Sequence, residues 1–139
     1  MKKLKVFLGG TCNNSLWREA LIPMLKINYF NPVVKDWNEK AYQEELKQRE
    51  ICNYCLYVIT PKMTGVYSIA EVTEDSVKRP EKTIFCYIPE DDKLKFNSTQ
   101  KKSLDKVAEM IVKNGGKFCK DLYEVATYLN NESQIIKKN

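Results

Sequence analysis

The carboxylate of Glu71 is the side chain of this sequence that is best placed for chemistry. It follows a short loop, Thr60–Val66, and that loop follows an apolar run, Cys55–Ile59. The run is typical of a strand that is buried on both faces, and the residues after the loop have the spacing of an amphipathic helix. Ligands of open α/β sheets bind outside the carboxyl ends of the strands. Glu71 is therefore the strongest candidate for a catalytic group.

A structural role for Glu71 remains open from the residues alone. Ser68 and Glu71 have the spacing of a capping box, in which the glutamate only accepts a hydrogen bond from the backbone N–H of the N-cap residue. Tyr67 and Ser68 could likewise be surface residues at the start of that helix. The geometry of the helix start must decide between a catalyst and a cap.

A second candidate region is the loop that opens with Gly9, Gly10 and Thr11, directly after the first predicted strand, Lys3–Leu8. Its glycines would let a ligand approach the backbone closely. A helix capped by Ser15 is predicted to follow, and a strand, a glycine-rich loop and a helix together favour anion binding. The loop matches neither common glycine-rich phosphate motif, so an ordinary tight turn explains it equally well.

Two tryptophans are candidates for stacking on a nucleotide base. Trp37 lies in a polar loop after the second predicted strand, Tyr29–Val34, and Trp17 lies in the helix after the first strand. Both rings are therefore expected near one pocket, with Asp36 close to a sugar hydroxyl. The alternative for Trp37 is a ring that covers the rim of the core.

The order of the segments predicts an α/β fold in one domain, residues 1–139. Apolar runs predict five strands, at Lys3–Leu8, Tyr29–Val34, Cys55–Ile59, Thr83–Ile88 and Lys117–Cys119. Helical patterns predict five helices: from Ser15 to about Ile27 with a kink at Pro23, Glu39–Cys52, Ser68–Arg79, from Ser98 to Gly115, and from Asp121 to about Asn130.

The topology follows from the connections between these elements. Right-handed crossovers give a flavodoxin-like three-layer sandwich with a five-stranded parallel sheet. Its predicted order is 2-1-3-4-5, because Pro32 favours an edge position for the second strand. That order brings the Gly9–Gly10 loop opposite the Gly65–Glu71 segment.

Composition excludes several kinds of function. The chain has no histidine, so Ser-His and Cys-His nucleophile pairs and histidine metal sites are excluded. Its five cysteines include Cys52 and Cys55, which lack the second pair of a structural zinc site. The net charge of +5 comes from lysines that alternate with acids, so nucleic-acid binding is not expected. No apolar run approaches the ~20 residues of a membrane span. We expect a cytoplasmic protein without a metal or cofactor.

Four segments of the chain carry a resemblance to a known family: Val6–Gly10, Asp36–Trp37, Tyr54–Pro61 and Gly65–Glu71. Together they resemble the nucleoside 2-deoxyribosyltransferase-like family over roughly residues 3–88. The resemblance implies a flavodoxin-like fold, a homo-oligomer and a nucleoside or nucleotide ligand. It also implies that Glu71 attacks the anomeric carbon, that the base leaves, and that a second base or water resolves the glycosyl-enzyme.

The same resemblance extends the candidate site and leaves one alternative. It adds Glu45 and Tyr67 as catalytic candidates, and Gly65 and Ser68 as substrate-binding candidates. Gly65 stands where the well-studied transferases of the family carry an aspartate, and Asn53 stands where an acid is frequent. The alternative to base transfer is therefore hydrolysis, or binding without turnover in a nucleotide-sensing module.

Overall fold

The structure, a computed structural model, describes residues 3–12 and 14–138, with side chains described to residue 134. Its strands are β1 (Lys5–Gly10), β2 (Asn28–Phe30), β3 (Tyr54–Ile59), β4 (Thr83–Tyr87), β5 (Glu90–Asp91), β6 (Leu94–Lys95) and β7 (Lys117–Cys119). Its α-helices are α1 (Trp17–Leu21), α2 (Glu39–Ile51), α3 (Tyr67–Lys78), α4 (Ser98–Lys113) and α5 (Leu122–Lys138).

Five of the strands form one parallel sheet in the order β2-β1-β3-β4-β7, and helices cover both of its faces. This confirms the predicted flavodoxin-like sandwich and its strand order. Counted along the sheet, β7 is the fifth strand, because β5 and β6 form a separate antiparallel hairpin. The short loops around β1 and β3 consequently meet at the carboxyl edge of the sheet.

The core consists of two apolar clusters, one on each face of the sheet, and β3 contributes alternate residues to both. Tyr54, Leu56 and Val58 belong to the cluster that includes residues of α1 and α5. Cys55, Tyr57 and Ile59 belong to the cluster that includes residues of α3 and α4. Every residue of β3 is buried. Because both faces of this strand are covered, neither face needs polar side chains, which explains its nearly continuous apolar run.

The two glycines after the first predicted strand lie inside β1, which runs to Gly10 rather than ending at Leu8. A Cβ atom on Gly9 would lie 2.7 Å from the ring of Tyr57, and one on Gly10 would lie 2.1 Å from the carbonyl oxygen of Val58. Gly10 also has a φ of +119°, a conformation that other residues rarely adopt. Packing against β3 therefore requires these glycines, whatever binds nearby.

The first helix and the second strand are shorter than predicted. α1 ends at Leu21 and gives way to a 3₁₀ turn, Ile22–Met24, because Pro23 has no N–H to continue the helix. Ser15 does not cap α1; its hydroxyl donates to Asp91 over 2.6 Å. β2 ends at Phe30, before Pro32, and lies at the sheet edge as expected.

The C-terminal part of the chain differs from the prediction at the helix ends. Asn97, not Ser98, caps α4, and it forms a capping box with Gln100. The side chain of Asp121 accepts a hydrogen bond from the backbone N–H of Glu124 at the start of α5. That helix continues to Lys138 instead of ending near Asn130. Among the described residues, no helix has both the length and the apolar composition to cross a membrane.

Candidate active site

A cavity of about 330 Å³ opens at the carboxyl ends of β1 and β3. The predicted site residues that line it are Gly9, Gly10, Thr11, Trp37, Glu45, Gly65, Tyr67, Ser68 and Glu71. The structure thus brings the two candidate loops together at one cavity. The loops are also joined directly, since the backbone N–H of Thr60 donates to the hydroxyl of Thr11 over 3.0 Å.

Two predicted site residues, Trp17 and Asp36, do not line this cavity. Trp17 is 3% exposed, and its indole N–H donates to the carbonyl oxygen of Thr11 over 2.8 Å. The expectation that its ring approaches the pocket is therefore wrong, because the ring packs in the core beneath the loop. Asp36 is an exposed residue of the loop before α2.

The helix that carries Glu71 starts too early for the capping box. α3 begins at Tyr67, Val66 occupies the N-cap position, and no side chain caps this end. Ser68 is the second helical residue, and Glu71 lies in the second turn. The capping interpretation is wrong, and the role of the Glu71 carboxylate has to be found among its tertiary contacts.

The Glu71 carboxylate lies in a mostly buried and charged environment. Its side chain is 10% exposed, and its Oε2 atom lies 3.5 Å from Nη1 of Arg49. Burial raises the pKa of Glu71 to about 7; the charge of Arg49 opposes the rise, while the charges of Glu45, Asp75 and Glu74 add to it. A carboxyl group with such a pKa changes its charge near neutral pH.

Arg49, a residue of α2 that the sequence analysis did not select, anchors this environment. It is 1% exposed, and its Nη2 atom lies 2.9 Å from carboxylate oxygens of both Glu74 and Asp75. Asp75 also accepts a hydrogen bond of 2.5 Å from the hydroxyl of Tyr57. Burial alone would lower the pKa of Arg49, but the hydrogen bond with Asp75 and the neighbouring negative charges raise it. The guanidinium therefore stays charged beneath Glu71.

One signal in the sequence could have indicated Arg49. Glu71, Glu74 and Asp75 have the spacing i, i+3 and i+4, which places three acids on one face of α3. Burying part of such a face requires a cation. The sequence holds several arginines and lysines, however, and their distances along the chain do not identify the partner.

The outer wall of the cavity combines a carboxylate with aromatic side chains. The indole N–H of Trp37 donates to Oε2 of Glu45 over 3.0 Å. The ring of Trp37 meets Tyr42 edge to face at 5.5 Å, and the hydroxyls of Tyr42 and Tyr67 lie 3.3 Å apart. Trp37 is 60% exposed, which leaves its ring accessible at the cavity mouth. This wall can offer a flat apolar surface and hydrogen-bonding groups to one ligand.

Residues 3–90 match a family model whose description is "nucleoside 2-deoxyribosyltransferase like". The matched segment contains β1 to β4 and both loops of the cavity, including Glu45 and Glu71. A comparison with curated proteins found no match. Among the described residues, no group of three or more cysteine or acidic side chains could hold a metal ion.

Proposed function

The chain belongs to the nucleoside 2-deoxyribosyltransferase-like family, and we propose from this premise that it cleaves the N-glycosidic bond of a nucleoside or nucleotide through Glu71. The observation that carries the proposal is the place of the Glu71 carboxylate. It lines the cavity opposite the Gly9–Gly10 segment, is mostly buried, and contacts the guanidinium of Arg49. A carboxylate held at the carboxyl ends of parallel strands can attack an electrophilic carbon of a bound ligand.

The proposed reaction consists of two displacements at the anomeric carbon. One oxygen of Glu71 forms a bond to this carbon while the bond from the carbon to the base nitrogen breaks. The base leaves with the bonding electrons and takes up a proton. Water or a second base then attacks the same carbon, the ester bond to Glu71 breaks, and the carboxylate is restored. Two successive inversions retain the configuration of the sugar.

Glu45, Tyr67 and Trp37 supply the remaining groups in this proposal. Glu45 shares the cavity with Glu71 and would exchange a proton with the leaving base or with the attacking water. The hydrogen bond with Tyr42, together with burial, raises the pKa of Tyr67 to about 12. Tyr67 therefore keeps its proton at neutral pH and can donate it in a hydrogen bond to the ligand. The exposed ring of Trp37 would stack on the base.

We also propose that the family domain extends from the matched residues over the whole chain, residues 1–139. The packing of the C-terminal elements supports this extension. β7 pairs with β4 in the same sheet, and Val125 and Leu129 of α5 belong to the apolar cluster that contains Val6 and Leu8 of β1. Without α5, only α1 would contribute helical residues to the cluster on that face of the sheet.

A nucleotide-binding module without catalysis is the second candidate, and one observation favours it. Among the described residues, the carboxylates that line the cavity belong to Glu45 and Glu71. A Cβ atom on Gly65 would have no atom within 4 Å. The site thus has open space at the position where the similar transferases carry an aspartate, so one acid of their chemistry is missing.

Release of free base, followed by chromatography, tests the proposal. The panel consists of nucleosides, deoxynucleotides and dinucleotides, each incubated with the wild type, Glu71→Gln and the control Glu109→Gln. Glu109 is an exposed residue of α4 outside the cavity. We expect the wild type and the control to release base from at least one compound. Glu71→Gln should be slower by several orders of magnitude, because it cannot form the ester.

Two results would contradict this function. A folded Glu71→Gln protein as active as the wild type would exclude Glu71 as the nucleophile. Binding of a nucleotide by the wild type without any base release would favour the binding module. Addition of a free acceptor base to the active mixtures separates transfer from hydrolysis, since transfer forms a new nucleoside.

A further inference from the structure

Arg18 of α1 has a guanidinium group fixed at the carboxyl end of β1, beside Gly10 and Thr11. The residue is 3% exposed. Its Nε atom donates to the carbonyl oxygen of Leu8 over 3.0 Å, and its Nη1 atom donates to that of Thr11 over 2.8 Å. Its Nη2 atom donates to the carbonyl oxygen of Gly10 over 3.4 Å, and the group lies over the ring of Trp17 at 4.3 Å. These contacts hold the guanidinium at the end of β1.

The charge of Arg18 has no carboxylate partner. Three of its hydrogen bonds go to neutral carbonyl groups, and its other hydrogen-bond partner is the side chain of Cys12. Within residues 3–12 and 14–134 no carboxylate lies at ion-pair distance from it. The other buried arginine, Arg49, contacts three carboxylates. Burial lowers the pKa of Arg18, while the interaction with Cys12 and the more distant charges of Glu19 and Glu45 oppose this in part. A buried charge without a counter-charge is costly and favours binding of an anion.

Arg18 lies where two cavities meet. It lines the cavity of Glu71 and also a side cavity of about 420 Å³, and Cys12 and Val33 are likewise shared by both. Each terminal nitrogen of the guanidinium donates one N–H to a backbone carbonyl group, and the second N–H of each nitrogen is available to the Cys12 thiol or to a ligand. The carboxylate of Glu19 lines the side cavity and would repel an anion there, so the junction itself is the favoured place.

We propose that Arg18 binds a phosphate group on the sugar of the ligand, so that the substrate is a nucleoside phosphate rather than a nucleoside. The nucleoside part of this inference rests on the proposed function. Two N–H groups of one guanidinium can donate to two phosphate oxygens, and such charge-assisted bonds are stronger than bonds between neutral groups. A phosphate at this position would hold the sugar within the cavity that contains Glu71.

Calorimetric titration of matched ligands tests the proposal. Each nucleoside is compared with its 5′- and 3′-monophosphates in the Glu71→Gln background, which prevents turnover. The phosphate should strengthen binding by about 10- to 100-fold. Arg18→Gln should bring this ratio close to one, and Arg18→Lys should keep part of it, because lysine retains the charge. The control Lys35→Gln removes an exposed cation of the loop before α2 and should leave the ratio unchanged.

The ratio of the affinity for the monophosphate to the affinity for the nucleoside separates anion binding from a purely structural role of Arg18. If Arg18 only shapes the loop, Arg18→Gln weakens nucleoside and nucleotide equally, and an unchanged ratio overturns the proposal. Equal affinities for nucleoside and phosphate in the protein with Arg18 intact overturn it even if the variants fail to fold. The binding experiment requires no turnover. If the protein prefers phosphates through Arg18 but releases no base, this inference holds and the proposed function is contradicted.

Discussion

The ionisation of Glu71 couples the candidate site to the stability of the fold. Its folded pKa of about 7 lies above the ordinary value of 4.5, so the native protein binds this proton more tightly than the unfolded chain does. The contribution of Glu71 to the stability of the wild type should therefore fall as the pH rises from about 4.5 to 7, by about 3 kcal/mol. Glu71→Gln should lack this decrease, since glutamine resembles the neutral acid.

Urea unfolding at pH 4, 6 and 8 measures the effect. The stability difference between Glu71→Gln and the wild type should grow with pH, whereas Glu109→Gln should follow the wild type. Parallel pH dependences for Glu71→Gln and the wild type would mean that Glu71 ionises like an exposed glutamate.

Glu74 offers a way to change the charge at Glu71 without altering the cavity wall. Its side chain is 49% exposed, it contacts Arg49, and its charge raises the pKa of Glu71. Glu74→Gln should lower the pKa of Glu71, because it removes a repulsive charge and leaves more of the Arg49 charge to Glu71. NMR titration of the labelled side-chain carboxyl carbons measures this pKa, with the Glu71 signal assigned by its loss in Glu71→Gln. An unchanged titration in Glu74→Gln would show that the two groups do not interact.

Trp37 is the expected base-stacking residue. Trp37→Ala should weaken nucleotide binding by about 1–3 kcal/mol, the contribution of one stacked base. Trp37→Phe is the matched variant: it keeps an aromatic face but loses the hydrogen bond to Glu45. Calorimetry should therefore find most of the affinity restored in Trp37→Phe. Unchanged affinity in Trp37→Ala would remove this residue from the site.

Segments buried on both faces were predictable at the scale of single elements, because their apolar runs depend little on distant contacts. β3 and β4 lie within one residue of the predicted Cys55–Ile59 and Thr83–Ile88. The edge strand β7, in which only Cys119 is buried, also coincides with the predicted Lys117–Cys119. Contacts between distant segments were not predictable. Arg49 pairs with acids more than twenty residues away, and Trp17 is buried by packing that its own helix does not reveal.

The extension of β1 through Gly10 predicts that replacing this glycine lowers the stability of the fold. Gly10→Ala would place a Cβ atom 2.1 Å from the carbonyl oxygen of Val58 at a φ of +119°. We expect a loss of stability of about 3 kcal/mol or more, from combined overpacking and backbone strain. Gly65→Ala, with no atom within 4 Å, is the matched control and should change stability by less than about 0.5 kcal/mol. Similar urea midpoints for the two variants would contradict this account of Gly10.

At the scale of the whole molecule, we expect a homo-oligomer. Val66, the N-cap residue of α3, and Val77, in the last turn of this helix, are each 68% exposed. Their spacing is about three helical turns, which favours positions on one side of α3. Tyr67, at the cavity, is 52% exposed beside them. A second copy of the chain could cover this apolar strip and the cavity mouth together. Ile69, another apolar residue of α3, packs against the protein's own core and is not part of this strip.

Light scattering should give a mass of two or more chains of 16.2 kDa each. Val77→Lys should shift the distribution toward the monomer, while Val112→Lys on α4, where an exposed valine lies outside the strip, should not. A monomeric wild type at high concentration would refute the expectation. A cytoplasmic location and the absence of nucleic-acid partners stay predictions.

The distribution of the cysteines has a practical consequence. Cys52, Cys55, Cys86 and Cys119 are buried, and burial raises the pKa of each thiol. Cys12 is exposed and lies at the junction of the two cavities. A maleimide dye should therefore attach to the native chain at Cys12 in preference to the other thiols. The unmodified sequence already offers a labelling handle whose emission would report the arrival of a ligand.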